Sequence, residues 1–214
     1  MSYEYHKIQS IYLRDPANNH KTFLMGQWSQ PEFGLLNDLE WVGTEKIDGT
    51  NIRVIWDGVG VRFGGKTDAA QIPAVLFEYL NAHFTPERMA SGTEGPLILY
   101  GEGFGGKIQK GSRYQEQQRF ILFDALVEHD PCGIWLDQDT VRSIGEKLDI
   151  PVVPVVFTGK LSDAVAVVER GFQSAVAQDS TLIAEGVVLR PRYELRDRMA
   201  RRIITKIKHR DFQP

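Results

Sequence analysis

The sequence predicts an α+β fold in which antiparallel sheets are flanked by helices. Two observations carry this. Strand-like runs outnumber helix-like runs, and many of them follow one another through turns too short for a crossover helix. The 214 residues are enough to bury one substantial core. No Pro-, Gly- or Ser-rich linker and no internal repeat divides them, so a single domain over 1–214 is expected.

The elements read in order. In WVGTEKIDGTNIRVIWDG, residues 41–58, an apolar run ends at Lys46 and a tight polar turn follows. NIRVIWDGVGVRFGG is a hairpin, two alternating runs joined through Asp57 and Gly58. IPAVLFEYLNAHF sets Val75, Leu76, Tyr79, Leu80 and Phe84 near helical spacing, which predicts a helix. GPLILYGEGFGG and RFILFDALVEH are buried strands on either side of a loop rich in glycine and charge. LDQDTVRSIGEKL is a helix with aspartates available to cap its start. PVVPVVF is a strand, and LSDAVAVVERGF is a helix closed by Gly171. EGVVLRPR and RRIITKIKH complete the strands. No G-x-x-x-x-G-K-[ST] and no G-x-G-x-x-G opens a helix, so neither a P-loop fold nor a dinucleotide fold is expected.

Composition narrows the function. A formal net charge of -3 excludes a generally basic coat. It leaves room for a local one, and residues 190–210 hold nine Lys or Arg against Glu194 and Asp197. Such a strip suits a phosphate backbone; the plainer reading is a solvated strand and loop. Lys107, Lys110 and Arg113 in GKIQKGSRY offer further phosphate contacts. The one cysteine, Cys132, sits in a turn-like HDPCG and excludes an internal disulfide or a cysteine zinc site. Neither a signal peptide nor an apolar run of membrane-spanning length is visible, so a soluble cytoplasmic protein is expected.

Several polar residues interrupt apolar strands or stand at their ends: Lys46, Asp48, Glu102, Glu185, Lys206 and Lys208. Each alone reads as a solvated strand end. Together they make sense for one task, moving a nucleotide through a covalent lysine. A free lysine has a pKa of about 10.4, so a nucleophilic one needs burial or positive neighbours. Lys206 and Lys208, two apart in a strand, point to one face and would supply those neighbours, lowering the pKa of Lys46 and neutralising phosphate charge. Glu185 is a hard oxygen ligand suited to magnesium or manganese.

The ordered set EKIDGTN, GEGFGGKIQKGSRY, RFILFDALV, AEGVVLRP and TKIKH resembles the ATP-dependent RNA ligases, nearest the nick-sealing phage type and the RNA-editing ligases. The resemblance runs from about residue 40 to 208. It implies an ATP-grasp-like adenylyltransferase domain of the nucleic-acid ligases, with ATP as AMP donor and magnesium or manganese as cofactor. By the same resemblance, Lys46 attacks the α-phosphate and carries AMP, and Glu45 reads the adenine. Asn51 marks the RNA-sealing branch, Glu102 binds the ribose, and Phe123 stacks on the base, although a core role is the plain alternative for Phe123. Phe120 is expected to be core. Glu185 is associated with the metal, and Lys206 and Lys208 contact the phosphates. The resemblance further implies RNA ends as partners, at a nick or a bridged duplex, with an accessory protein admissible.

Two departures stand out. Lys66 occupies a position where the family usually has a phosphate-binding arginine, which loses the bidentate fork. Arg62 either compensates or lies on the outer face of its strand. The sequence also ends six residues after Lys208, so no carboxy-terminal accessory domain is expected. The competing readings are a DNA ligase or capping-type nucleotidyltransferase of the same superfamily, and a non-catalytic domain that binds RNA ends.

Overall fold

The computed structural model describes residues 4–109, 111–128 and 133–213. Cys132 and Lys110, both singled out above, lie outside them. Along the chain run β1 (Gln9–Ser10), β2 (Tyr12–Arg14), β3 (Phe23–Trp28), α1 (Pro31–Leu35), β4 (Trp41–Lys46), β5 (Thr50–Trp56) and β6 (Val61–Gly64). There follow α2 (Ala74–His83), α3 (Pro86–Gly92), β7 (Leu97–Phe104), β8 (Arg119–Val127), β9 (Ile134–Trp135) and α4 (Gln138–Leu148). The last are β10 (Val155–Gly159), α5 (Leu161–Arg170), β11 (Gly186–Pro191) and β12 (Thr205–Lys208). The chain is α+β with mainly antiparallel sheets, as expected. It divides into two compact units.

The first unit takes residues 7–47, 154–176 and 180–213. Five of its strands form a sheet in the order β1-β12-β11-β4-β10, antiparallel except for the β1–β12 pair. One face is closed by α5, whose Leu161, Ala164, Val165 and Val168 pack with Trp41, Val187, Leu189 and Ile207. Gly171 closes α5 at a φ of 78°. The β2–β3 hairpin adds Tyr12 and Phe23 to the same core.

The second unit takes the described residues of 4–6, 48–153 and 177–179. Its sheet runs β6-β5-β7-β8-β9, antiparallel throughout. The expected hairpin is β5–β6, and Asp57 ties its turn by accepting from the N–H groups of Val59 and Gly60. One sheet face is covered by Leu76 and Leu80 of α2, Met89 of α3 and Val141, Ile144 and Leu148 of α4, with Phe120 in that core as expected. Asp137 caps α4 by accepting from Thr140 N–H at 2.8 Å.

Three details differ from expectation. Val75 is 59% exposed, because the inward stripe of α2 is Leu76 and Leu80 and Val75 lies off it. PVVPVVF is not one strand. Pro154 lacks a backbone donor; β10 starts after it, and Val152 instead bridges Leu122 of β8. Residues 60–67, GVRFGGKT, do satisfy the P-loop spacing G-x-x-x-x-G-K-[ST]. They run through β6 into a turn, and the next helix starts only at Ala74, so no helix N-terminus follows the lysine. The expectation against a P-loop fold holds, though the string itself is present.

Candidate active site

Lys46 is the last residue of β4, a strand held between β11 and β10. Register sets Lys46 opposite Gly186 of β11, and Gly186 opposite Lys208 of β12. Paired residues share a face and neighbours along a strand alternate. Lys46 and Lys208 therefore project from the same face as Thr44, Val188 and Lys206 in the next row. A Cβ at Gly186 would stand 2.0 Å from the Ile207 carbonyl oxygen, so only glycine fits between the two lysines.

Glu185 joins them. Lys46 Nζ donates to its Oε2 and Lys208 Nζ to its Oε1, each at 2.6 Å. Burial works to raise the pKa of Glu185, but the charge of Lys46 and the bonds from both lysines outweigh it and hold the carboxyl below its usual range. His209 N–H donates to the Glu185 carbonyl at 2.8 Å and anchors that end of the strand. Lys206 makes no ion pair among the described residues. Burial, then the charges of Lys208 and Lys46, bring its pKa down to about 8.

Glu45 goes the other way. It is 2% exposed, on the core-side face with Val187 and Ile207, and its carboxylate accepts from the Ser174 hydroxyl and from Ala175 N–H at 2.8 Å. Burial pushes its pKa up against those two bonds. The sheet thus gathers Lys46, Lys206, Lys208 and Glu185 and sets Glu45 apart from them.

The remaining candidates lie on the second unit. Asn51, Glu102 and Ile121 form one cross-strand row on the sheet face away from the Phe120 core. Asn51 Oδ1 is buried without a hydrogen-bond partner among the described residues, and Glu102 is half-buried. In the K-x-D-G string, a Cβ at Gly49 would stand 2.3 Å from the Gly103 carbonyl, which explains the glycine, and Asp48 N–H donates to the Tyr114 hydroxyl at 3.3 Å. Phe123 is the extra residue of a β-bulge, since Tyr100 pairs with Asp124 and Gly101 with Leu122. It is half-buried, with the Tyr5 ring edge-on at 5.2 Å. Lys66 is exposed in the turn after β6, and Arg62 is exposed on β6.

The basic strip is less free than its sequence implies. At least four of its nine cations meet carboxylates among the described residues: Arg192 with Glu40, Arg201 with Asp197, Arg202 with Glu194, and Lys208 with Glu185. Arg113 likewise pairs with Asp179. Among the described residues no cluster of three metal-binding side chains occurs, and no helix is long and apolar enough to cross a membrane.

The profile of the RNA ligase family matches residues 39–208. The chain belongs to the RNA ligase family. Its fold is also similar to part of the Naegleria gruberi RNA ligase. A lysine-substituted form solved with ATP and manganese superposes with a TM-score of 0.63 at 18% identity, covering 85% of this chain and 54% of that one. The form with pyrophosphate gives 0.64 at 18%, covering 83% and 52%, and one with AMP and manganese 0.63 at 17%, covering 96% and 57%. This RNA ligase chain thus spans about half the length of those solved relatives. Curated protein sequences offer no match.

Reading the RNA ligase sequence alone missed several residues near these positions. Tyr5 and Arg14 precede the matched span. Arg14 donates to Asp211 at 2.8 Å and to Ser10 Oγ at 3.3 Å, and its charge contributes to the lowered pKa of Lys206. Arg53 is the one that left a signal, a charge between Ile52 and Val54 in the apolar run that ends its strand.

Proposed function

We propose that this chain carries the nucleotide-transfer core of an ATP-dependent RNA ligase and joins RNA 5′-phosphate and 3′-hydroxyl ends through a lysyl-AMP intermediate. The observation that carries the reading is the Lys46–Glu185–Lys208 array on one sheet face, with Lys206 in the adjacent row. In the first step the Lys46 amine, having lost a proton, attacks the α-phosphorus of ATP. A P–N bond forms, the P–O bond to the β-phosphate breaks, and pyrophosphate leaves. An oxygen of the RNA 5′-phosphate then displaces the lysine, leaving AMP on the RNA end. The 3′-hydroxyl attacks that end, the phosphodiester forms and AMP departs.

Lys206 and Lys208 place positive charge where the phosphates gain negative charge. Their strand fixes them, so little reorganisation is needed during the reaction. A magnesium or manganese ion keeps several waters and takes other oxygens from substrate phosphates, so the single carboxylate of Glu185 suits it. Held there, such an ion would neutralise phosphate charge. Glu102, Phe123, Asn51 and Lys66 take the ribose, base, RNA-branch and phosphate roles that the family resemblance implies. Glu45 supports the nucleophile strand from its core face by fixing the 174–175 loop.

The test is labelling with radioactive ATP, GTP or NAD. Label should pass from ATP to the parent protein, be acid-labile and base-stable, and be absent from Lys46→Ala. The variant should still fold and melt somewhat below the parent, because Lys46 packs little but Glu185, 12% exposed, loses one of its two lysine partners. Full labelling of Lys46→Ala would move the nucleophile elsewhere.

A further inference from the structure

Arg53 is 1% exposed, on β5 between Tyr100 of β7 and Gly64 of β6. It projects from the face opposite Ile52 and Val54, which belong to the core. A buried guanidinium is costly unless its donors are met, so where they go is informative. Nε donates to the Gly65 carbonyl at 2.8 Å, and Nη1 to Asp68 Oδ1 at 2.8 Å. These acceptors stand one residue before and two residues after Lys66. The guanidinium therefore spans the turn that presents Lys66. Gly64 leaves it the space: a Cβ there would lie 2.8 Å from Nη2. Two further bonds hold the same turn. Asp68 N–H donates to Glu4 at 3.2 Å, and Ala70 N–H to the Thr67 carbonyl at 3.1 Å.

We infer that Arg53 and Asp68 are positioning residues that hold the 65–68 turn so that the Lys66 ammonium meets a phosphate of the bound nucleotide. This rests on the reading of Lys66 as a phosphate contact. Lysine offers a point charge on a flexible stem, where an arginine would orient itself through its fork. The backbone beneath the lysine must then supply the orientation, and a displaced point charge binds the phosphate less tightly. A buried arginine tied to both sides of that lysine supplies it. The plainer alternative is that Arg53 only secures the β5–β6 edge, in which case its loss changes stability and nothing else.

A double-mutant cycle separates the two. Asp68 is the residue to change, because its side chain is 73% exposed and its loss removes no apolar packing. The melting temperature reads the cost of leaving the buried Arg53 Nη1 without that acceptor. The KM for ATP and the rate of lysyl-AMP formation are measured for the parent, Asp68→Ala, Lys66→Ala and the double variant, with melting temperature as the control for folding. Residues coupled through a shared backbone turn are non-additive, so Asp68→Ala should raise the KM for ATP about 3- to 10-fold in the parent and leave it unchanged when Lys66 is already alanine. The rate at saturating ATP should change less than about twofold, as for lost ground-state binding. The same rise in both backgrounds, or none in either, overturns the inference while the ligase reading stands. A parent that takes no label from ATP overturns both.

Discussion

At Lys206 an ammonium is half-buried on a sheet face that already carries Lys46 and Lys208, and its pKa falls to about 8 from an unfolded value near 10.5. Below pH 8 the group is charged in both states, and the folded state bears the cost of burial and repulsion. Between about 8 and 10.5 the folded protein has released the proton while the unfolded chain keeps it. The unfolded state then binds more protons, and stability rises with pH through that window. Lys206→Met removes the cost. Its urea midpoint should exceed the parent's at pH 7, and the gap should narrow by pH 9.5. A gap constant with pH would mean that Lys206 is charged in the folded state throughout. Glu185 gives a slope of the same sign at lower pH. Once burial is overcome, its carboxyl is held low by Lys46 and Lys208 and stays ionised in the folded state while the unfolded chain takes up the proton. The stability it contributes is therefore lost as pH falls.

The element that fixes this constellation is β11, where Gly186 lies between Lys46 and Lys208. Gly186→Ala forces a Cβ into the Ile207 carbonyl and should cost about 1–3 kcal/mol or more, as overpacking does, with loss of AMP labelling in protein that still folds. Gly60→Ala is the control, since its Cβ would meet nothing within 4 Å. An unchanged unfolding midpoint for Gly186→Ala would remove the close approach from the account. Much at this scale was legible in the sequence. The β5–β6 hairpin announced itself through alternation and Asp57-Gly58, and α4 and α5 through periodicity, Asp137 and Gly171. The face shared by Lys206 and Lys208 followed from period two alone. What was not legible depends on distant partners. β1 is two residues long and exists because β12, almost two hundred residues later, pairs with it. Glu45 is buried because Ser174 and Ala175 arrive from about 130 residues away to meet its carboxylate. No local pattern encodes either.

For the whole chain, the paired cations of the 190–210 strip set the expected response to salt. Nine free phosphate contacts on a duplex would give a slope of log K against log salt of about -8 at roughly -0.9 per contact. With four of the nine committed to Glu40, Asp197, Glu194 and Glu185, at most five remain, and the slope should be no steeper than about -4.5. Titrating a nicked RNA duplex with the protein at several salt concentrations reads this directly, and a slope near -8 would show that those pairs open on RNA. The division of the chain carries a consequence of another kind. All five strands of the second unit come from one continuous stretch, residues 50–135. In the first unit's sheet, β4 has neighbours that begin at Val155 and Gly186. During synthesis from the amino terminus, the sheet of the second unit has all its strands while the neighbours of Lys46 are still to be translated. The strand bearing Lys46 is made early and completed late, with its array assembled only once Lys208 has left the ribosome.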